Sequence, residues 1–249
     1  MELDFETLNL IFLHPAQSHF WVLDKFTEID STLNCMTNYL QETELLDYNH
    51  ANFDPFLKGI KARNKPPKDV AIELYFLVRD EFVYDPYHID LRPNGLKASS
   101  VLSKNRAWCV EKSTLLAACA RKFNIPSKLG YAIVTNHIGV EKLTTILRRN
   151  EIVFHGYVEL FIENKWVKCT PAFDERMCKL ANVTPLDWDG ETDSMFQEFE
   201  NNQKFMEYLH FYGEFDDVPV QLMNDEMKKY YPHLFEEEFN SRSFSFYHL

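Results

Sequence analysis

A cysteine stands at the start of a helix-forming run in NRAWCVEKSTLLAACARKF, residues 105–123. We predict a helix from Cys109 to about Lys122. At the first turn of a helix, unpaired backbone N–H groups and the helix dipole stabilise a thiolate and also an oxyanion. Cys109 is therefore a candidate nucleophile for acyl transfer. The alternative is a buried, unreactive side chain, which is what we expect of Cys119 in the same run.

The base that such a nucleophile requires is predicted to be His155, which lies inside the β-like run EIVFHGYVELFI. Alternation along a strand places His155 on the same face as Tyr157 and Glu159, away from the apolar face. Gly156 follows directly and leaves room for the end of a helix to approach. We expect Glu159 to form an ion pair with a neighbouring Lys or Arg rather than to transfer protons.

A histidine base also needs a partner that orients its second ring nitrogen. The residues ENK separate EIVFHGYVELFI from WVKCT and predict a hairpin turn. On the returning strand, alternation places Thr170 on the face of His155, with Asp174 just beyond. A hydroxyl at Thr170 can accept the imidazole N–H, whereas a carboxylate at Asp174 can also stabilise an imidazolium. Both are candidates, and the alternative for Asp174 is a cap on the next helical turn.

The elements around this pair are predicted from periodicity and turn residues. Pro66 and Pro67 open a helix in NKPPKDVAIELYFLVRDEF, and SKLGYAIV is typical of a strand. Residues 17–63 indicate helical segments broken by polar turns. From about residue 185, acidic and aromatic residues mix without a clear period, which predicts short helices. Since no linker-like composition appears, we expect one α+β domain over residues 1–249, with a helical N-terminal region and a mixed C-terminal extension.

Composition excludes several classes of function. The net charge of −12 disfavours nucleic acid and anionic membranes as partners. The five cysteines form no CxxC pair, and no glycine-rich phosphate loop is present, so we predict neither a metal site nor a cofactor. An acidic N-terminus and the lack of a long apolar run predict a cytoplasmic location with no membrane span. The oligomeric state does not follow from the sequence.

Several spaced residues follow one another in a characteristic order over about 68–175: Cys109, Leu115, Ala118, Arg121, Ile125, Pro126 and Ser127, and then His155, Glu159, Trp166 and Pro171. This order resembles the transglutaminase-like superfamily of papain-fold cysteine enzymes. Two departures accompany the resemblance: Thr170 stands where the family has Asp, and Tyr157 stands where it has Trp. The segment TPAFD resembles a bacterial variant in which TPAF is followed by Asn or Asp.

The resemblance implies a helix carrying Cys109 packed on an antiparallel sheet carrying His155. It also implies thiol-dependent acyl transfer or hydrolysis on a peptide or protein amide, as in proteases, deamidases, amidases and cross-linking transferases. Fold does not choose among these reactions. Because the family's Asp is replaced, the alternative is a non-catalytic relative that binds peptides or serves in assembly.

Four further residues are candidates for lining a substrate cleft. Trp108 precedes the candidate nucleophile, and Asn136, followed by His137, ends the strand after the helix. Tyr84 lies in the turn-like YDPY segment, and Tyr157 follows His155 on the same face. Packing or turn formation is the alternative for each of them.

Overall fold

The computed structural model describes residues 36–136, 141–195, 206–236 and 238–249. From Leu40 to Leu249 the chain forms one compact unit. Between Leu40 and Pro66 the described chain is mostly turns, with one short helix. The helical segments predicted before residue 36 lie outside the described residues.

The helices of this unit vary from a single turn to four turns. In chain order they are α1 (Phe53–Leu57), α2 (Pro67–Glu81), α3 (Pro93–Leu96), α4 (Ala98–Val101), α5 (Cys109–Lys122), α6 (Glu141–Leu147), α7 (Glu175–Ala181), α8 (Val220–Tyr230) and α9 (His233–Glu236).

The strands form one main sheet and two small ones. In chain order they are β1 (Val83–Tyr84), β2 (His88–Asp90), β3 (Arg106–Ala107), β4 (Ser127–Asn136), β5 (Glu151–Ile162), β6 (Lys165–Cys169), β7 (Met206–Phe215), β8 (Phe239–Asn240) and β9 (Ser245–Tyr247). The main sheet is antiparallel with the order β6-β5-β4-β7, and α5 packs against β4 and β5. The predicted α+β architecture is therefore confirmed.

The hairpin between β5 and β6 follows from its turn residues. Glu163 and Asn164 both have positive φ, at 50° and 66°, as a two-residue type I′ turn requires. Ile162 and Lys165 pair directly on either side of the turn. Because the turn fixes the register, Glu159 pairs with Lys168, and their side chains share a face as alternation predicted.

Helix α5 is the central element of the core, and nearly all of its side chains are buried. At its C-terminal end the buried Arg121 guanidinium donates to the backbone carbonyls of Ser127 and Asp216, at 2.9 and 2.7 Å. A buried guanidinium needs such acceptors to offset its desolvation. Arg121 therefore ties the end of α5 to the start of β4.

The strand β7 was not predicted from the sequence, which indicated only short helices in this region. The reason is a pair of bulges. Gly130, Ala132 and Val134 of β4 are two residues apart. Their partners on β7, which are Glu214, Phe211 and Tyr208, are three residues apart. A strand that carries two extra residues shows no period of two. The missing alternation therefore marked an irregular strand rather than a helix.

The N-terminal turn of α5 meets β5 at Gly156, where the two backbones approach closely. A Cβ atom at this position would lie 3.1 Å from Val110 Cα, 3.1 Å from Ser113 Oγ and 3.2 Å from the Cys109 carbonyl oxygen. Two of these three atoms belong to the helix backbone, which cannot rotate away. Only glycine allows the helix start to lie this close to the strand.

We expect Gly156→Ala to lower the free energy of unfolding by about 1–3 kcal/mol, because the added methyl group overpacks the contact between α5 and β5. Urea unfolding followed by circular dichroism measures the change. Gly59→Ala is the matched control, since a Cβ there meets nothing within 4 Å. Equal stabilities of the two variants would contradict the close approach.

Candidate active site

Cys109 is the first residue of α5, and its side chain is only 1% exposed. The backbone N–H groups of Val110 and Gly156 and the phenol of Tyr84 lie near its sulfur and act to lower its pKa. Gly156 is bonded directly to His155 in the chain. The helix that carries the cysteine and the strand that carries the histidine therefore meet at the sulfur.

The start of α5 is fixed by a buried carboxylate. Glu111 accepts from the Trp108 backbone N–H at 3.2 Å and forms an ion pair with Lys104. This satisfies one of the N–H groups that a helix start leaves unpaired. Burial nevertheless raises the pKa of Glu111 to about 6, in spite of the neighbouring ammonium.

Burial also controls the ionisation of the cysteine. It raises the pKa of Cys109 to about 11, although the neighbouring backbone N–H groups and Tyr84 act in the opposite direction. Since the thiolate is the reactive form, the cysteine in this conformation is a neutral thiol at pH 7. The helix start favours an anion, but loss of hydration outweighs it.

The burial comes from a set of apolar side chains that we call the cover: Leu143, Leu147, Met227, Tyr231, Leu234 and Phe246. They come from α6, α8, α9 and β9, with Tyr231 directly after α8. With Tyr84, Pro86, Ile89, Trp108, Ile152 and Val153, they enclose a cavity of about 30 Å³ beside Cys109. That volume holds a water molecule and excludes a peptide.

Tyr231 fastens the cover to the sheet. Its hydroxyl donates to the Glu151 carbonyl at 2.6 Å and accepts from the Val153 N–H at 2.9 Å. Both partners lie at the start of β5, a few residues before His155. A movement of the cover away from Cys109 must break these two hydrogen bonds.

We expect Tyr231→Phe to raise the rate of iodoacetamide labelling at Cys109 roughly five- to thirty-fold, because the variant loses both hydrogen bonds of the hydroxyl and each contributes ~1 kcal/mol. Mass spectrometry of the labelled peptide measures the rate. Tyr48→Phe is the control, since its hydroxyl donates to the Leu40 carbonyl at 3.0 Å and neither residue belongs to the cover. Equal labelling rates in the two variants would show that Tyr231 does not hold the cover.

His155 follows a bulge in β5. Ala132 on β4 pairs with His155 and Val134 pairs with Ile152, so β5 carries one extra residue between the two pairs. At this bulge Phe154 has a φ of 62°, a conformation that costs a bulky residue about 1–3 kcal/mol. Bulges of this kind redirect the neighbouring side chain, which here is His155.

The imidazole of His155 is buried, and its Nε2 atom has no hydrogen-bond partner among the described residues. Loss of hydration lowers the pKa of His155 to about 4, so the ring is neutral at pH 7. The ring packs edge-on against Tyr208 of β7, with 5.9 Å between the centroids. A neutral imidazole with a free nitrogen has the protonation state of a general base.

Thr170 lies just beyond β6 and is buried. Its hydroxyl lies 3.4 Å from the hydroxyl of Tyr208 and 3.9 Å from the sulfur of Met195. Tyr208 in turn contacts His155. The predicted pair of His155 and Thr170 is thus linked through a tyrosine that the sequence did not single out.

Asp174 caps helix α7, which was the alternative that the sequence offered for it. One carboxylate oxygen accepts from the backbone N–H groups of Arg176 and Met177, both at 3.1 Å, and the other accepts from the backbone N–H of Tyr84 at 2.6 Å. Within the described ranges, no hydrogen bond joins Asp174 to His155. Its role in orienting the histidine stays a prediction.

Lys112, one turn after Cys109, is a buried ammonium near Asp174. It donates to the carbonyl oxygens of Arg79 and Ala172 at 2.8 and 2.9 Å. Burial lowers the pKa of Lys112 to about 7, and the Asp174 carboxylate opposes this change. Lys112 therefore ties α5 to α2 and to the segment between β6 and α7.

The folded protein holds the proton on Lys112 less tightly than the unfolded chain does. Between about pH 7 and 10.5 the unfolded chain binds more protons at this residue, so its contribution to stability rises with pH. From pH 7 to 9 we expect the free energy of unfolding of the wild type to rise by roughly 2 kcal/mol relative to Lys112→Met. Lys122→Met, near the exposed end of α5, is the control. Parallel pH profiles for wild type and Lys112→Met would contradict this prediction.

Residues 54–171, just under half of the chain, match the sequence profile of the transglutaminase-like superfamily. This stretch is similar in sequence to that superfamily. It contains Cys109 and His155, on which the resemblance rested, and Thr170, which departs from the family's pattern. Within the stretch, helix α5 packs on the antiparallel sheet.

The other comparisons found less similarity. A crystal structure of a proposed cysteine protease from Cytophaga hutchinsonii is similar at 12% identity and a TM-score of 0.42, over 70% of this chain. The chain spans 63% of that protein, and a likeness at this level carries no argument about activity. No curated protein is significantly similar in sequence.

Of the four residues predicted to line a substrate cleft, two lie beside Cys109 and two lie elsewhere. Trp108 and Tyr84 line the cavity at Cys109. The ring of Tyr157 packs over Gly130 of β4, on the face of the sheet that carries Tyr208. Asn136 is the last residue of β4, and its side chain, like the whole of His137, lies outside the described residues.

Two further observations concern the described part of the chain. It contains no group of three or more His, Cys, Asp or Glu side chains placed to hold a metal ion. No helix within those ranges is long and apolar enough to cross a membrane.

Proposed function

We propose that this protein is a thiol-dependent enzyme that transfers or hydrolyses the acyl group of a peptide or protein amide. Cys109 is the nucleophile and His155 is the base. The observation that carries the proposal is the meeting of the start of α5 with β5, where a Cβ atom at Gly156, the residue after His155, would lie 3.2 Å from the Cys109 carbonyl oxygen. The family match over residues 54–171 supports the same reading.

The chemistry follows from the two side chains. His155 takes the proton of the Cys109 thiol, and the thiolate attacks the carbonyl carbon of the amide. Backbone N–H groups at the start of α5 stabilise the negative charge on the carbonyl oxygen. The C–N bond then breaks, the imidazolium returns its proton to the departing amine or ammonia, and a thioester remains on Cys109.

The second half of the reaction resolves the thioester. His155 takes a proton from water or from a second amine, and the oxygen or nitrogen attacks the thioester carbonyl. The C–S bond breaks and the imidazolium protonates the departing thiolate, which restores Cys109. Water yields hydrolysis, and an amine yields transfer.

A protein substrate cannot reach Cys109 while the cover is in place. The residue is 1% exposed, and the cavity beside it excludes a peptide. The described conformation therefore corresponds to a resting form. Opening hydrates the sulfur and removes the main cause of its raised pKa, so access to substrate and activation of the thiol occur together.

A second candidate function is a non-catalytic module that binds peptides or serves in assembly. The observations in its favour are the neutral, covered thiol of Cys109 and a hydroxyl at Thr170 where the family has a carboxylate. The difference between the two candidates is whether covalent chemistry occurs at Cys109.

The experiment that separates them uses dimethylated casein as a general protein substrate. New amino groups report hydrolysis of the backbone, ammonia reports deamidation, and incorporation of a fluorescent amine reports transfer. Under the proposal one signal appears with the wild type, is larger with Tyr231→Phe, and falls by on the order of 10³-fold in Cys109→Ala.

Cys119→Ala is the matched control, because Cys119 is a buried cysteine of the same helix. It is expected to keep the wild-type signal. If wild type and Tyr231→Phe give no more signal than Cys109→Ala in all three assays, the non-catalytic module is the better account.

A further inference from the structure

Tyr208 occupies the position next to His155 that an orienting partner would take. It belongs to β7, which pairs with β4 and not with β5. Its side chain nevertheless crosses β4 and contacts His155, because the residue of β4 opposite His155 is the small Ala132. The two bulges of β7 bring Tyr208 and Phe211 to the same side of the sheet, where their rings stack at 5.3 Å.

The side chain of Tyr208 is in contact at its ring and at its hydroxyl. Its ring lies between Phe211 and the imidazole of His155, and its hydroxyl lies 3.4 Å from that of Thr170. Burial raises the pKa of Tyr208, its contact with Thr170 opposes this, and the proximity of Cys109 adds a smaller increase. Tyr208 thus contacts the histidine and the residue that replaces the family's carboxylate, and lies close to the cysteine.

The carboxylates of Glu159 and Glu214, on this side of the sheet, interact with Lys168 and Tyr157 and not with His155. Glu159 and Glu214 lie 3.1 and 3.6 Å from the ammonium of Lys168, and Tyr157 donates to Glu214 at 3.2 Å. Among the described residues, no hydrogen bond or ion pair joins a carboxylate to His155. The histidine is therefore positioned by packing rather than by an anion.

We infer that Tyr208, held by Thr170, is the positioning residue of His155 and takes the place of the carboxylate in the family's pattern. This inference rests on the proposed role of His155 as the base. An aromatic edge contact fixes the plane of the imidazole without adding charge. The histidine is therefore oriented but remains neutral, and it gains no electrostatic support for an imidazolium.

The test is nitrogen NMR of the full-length protein, in which the ring ¹⁵N shifts of His155 report its tautomer and its pKa. His155→Gln assigns the signals. The wild type is expected to show one sharp set of ring ¹⁵N shifts, because a packed imidazole keeps one orientation. Tyr208→Phe keeps the aromatic ring and should retain these shifts, whereas Tyr208→Leu should give averaged shifts and a pKa that moves from about 4 toward 6.5.

Tyr212→Leu is the matched control. Tyr212 is an aromatic residue of the same strand, and its ring stacks on Phe154 at 4.7 Å rather than on His155. A structural loss alone would disturb both variants, whereas the inference requires the ¹⁵N shifts of His155 to change only in Tyr208→Leu. Wild-type shifts in Tyr208→Leu, or equal changes in Tyr212→Leu, would overturn it.

Thr170→Asp tests the same inference in the opposite direction. A carboxylate at this position should raise the pKa of His155 by about 1–3, because an adjacent anion stabilises the imidazolium. An unchanged pKa in a folded variant would show that position 170 does not act on the histidine. These readouts do not require turnover, so failure of the proposed reaction and failure of this inference are distinguishable.

Discussion

The contact between the start of α5 and strand β5 at Gly156 is the constraint on which the site depends. The helix backbone lies so close to the strand that no side chain fits between them. As a result the sulfur of Cys109 reaches the Gly156 N–H, one residue from the predicted base. Arg121 at the other end of the helix and Lys112 near its start hold α5 in this position through backbone carbonyls.

The same burial that fixes the geometry also suppresses ionisation. Loss of hydration raises the pKa of Cys109 and lowers that of His155, so both are neutral at pH 7 in the covered form. The helix dipole and the neighbouring N–H groups act against this at the sulfur, but they do not overcome it. Under the proposed function, a thiolate and imidazolium pair therefore requires hydration of the site, and hydration requires the cover to move.

Much of the fold was predictable because its signals are local. The prolines before α2, the apolar run of α5 and the turn at Glu163 and Asn164 each specify structure through neighbouring residues. The region after residue 185 was not predictable in the same way. Its main strand, β7, carries two bulges, and the residues that face the site are three positions apart instead of two.

The sequence alone determined that a cysteine begins a helix and that a histidine and Thr170 share one face of a hairpin, since helix starts and strand alternation are set by nearby residues. Only the tertiary structure decided what surrounds them. The cover over Cys109 and the ring of Tyr208 beside His155 come from segments distant in the chain. Local patterns in a single sequence do not predict contacts between such segments. Asp174 shows the same limit, because its other carboxylate oxygen accepts from the backbone N–H of Tyr84, which is distant in the chain.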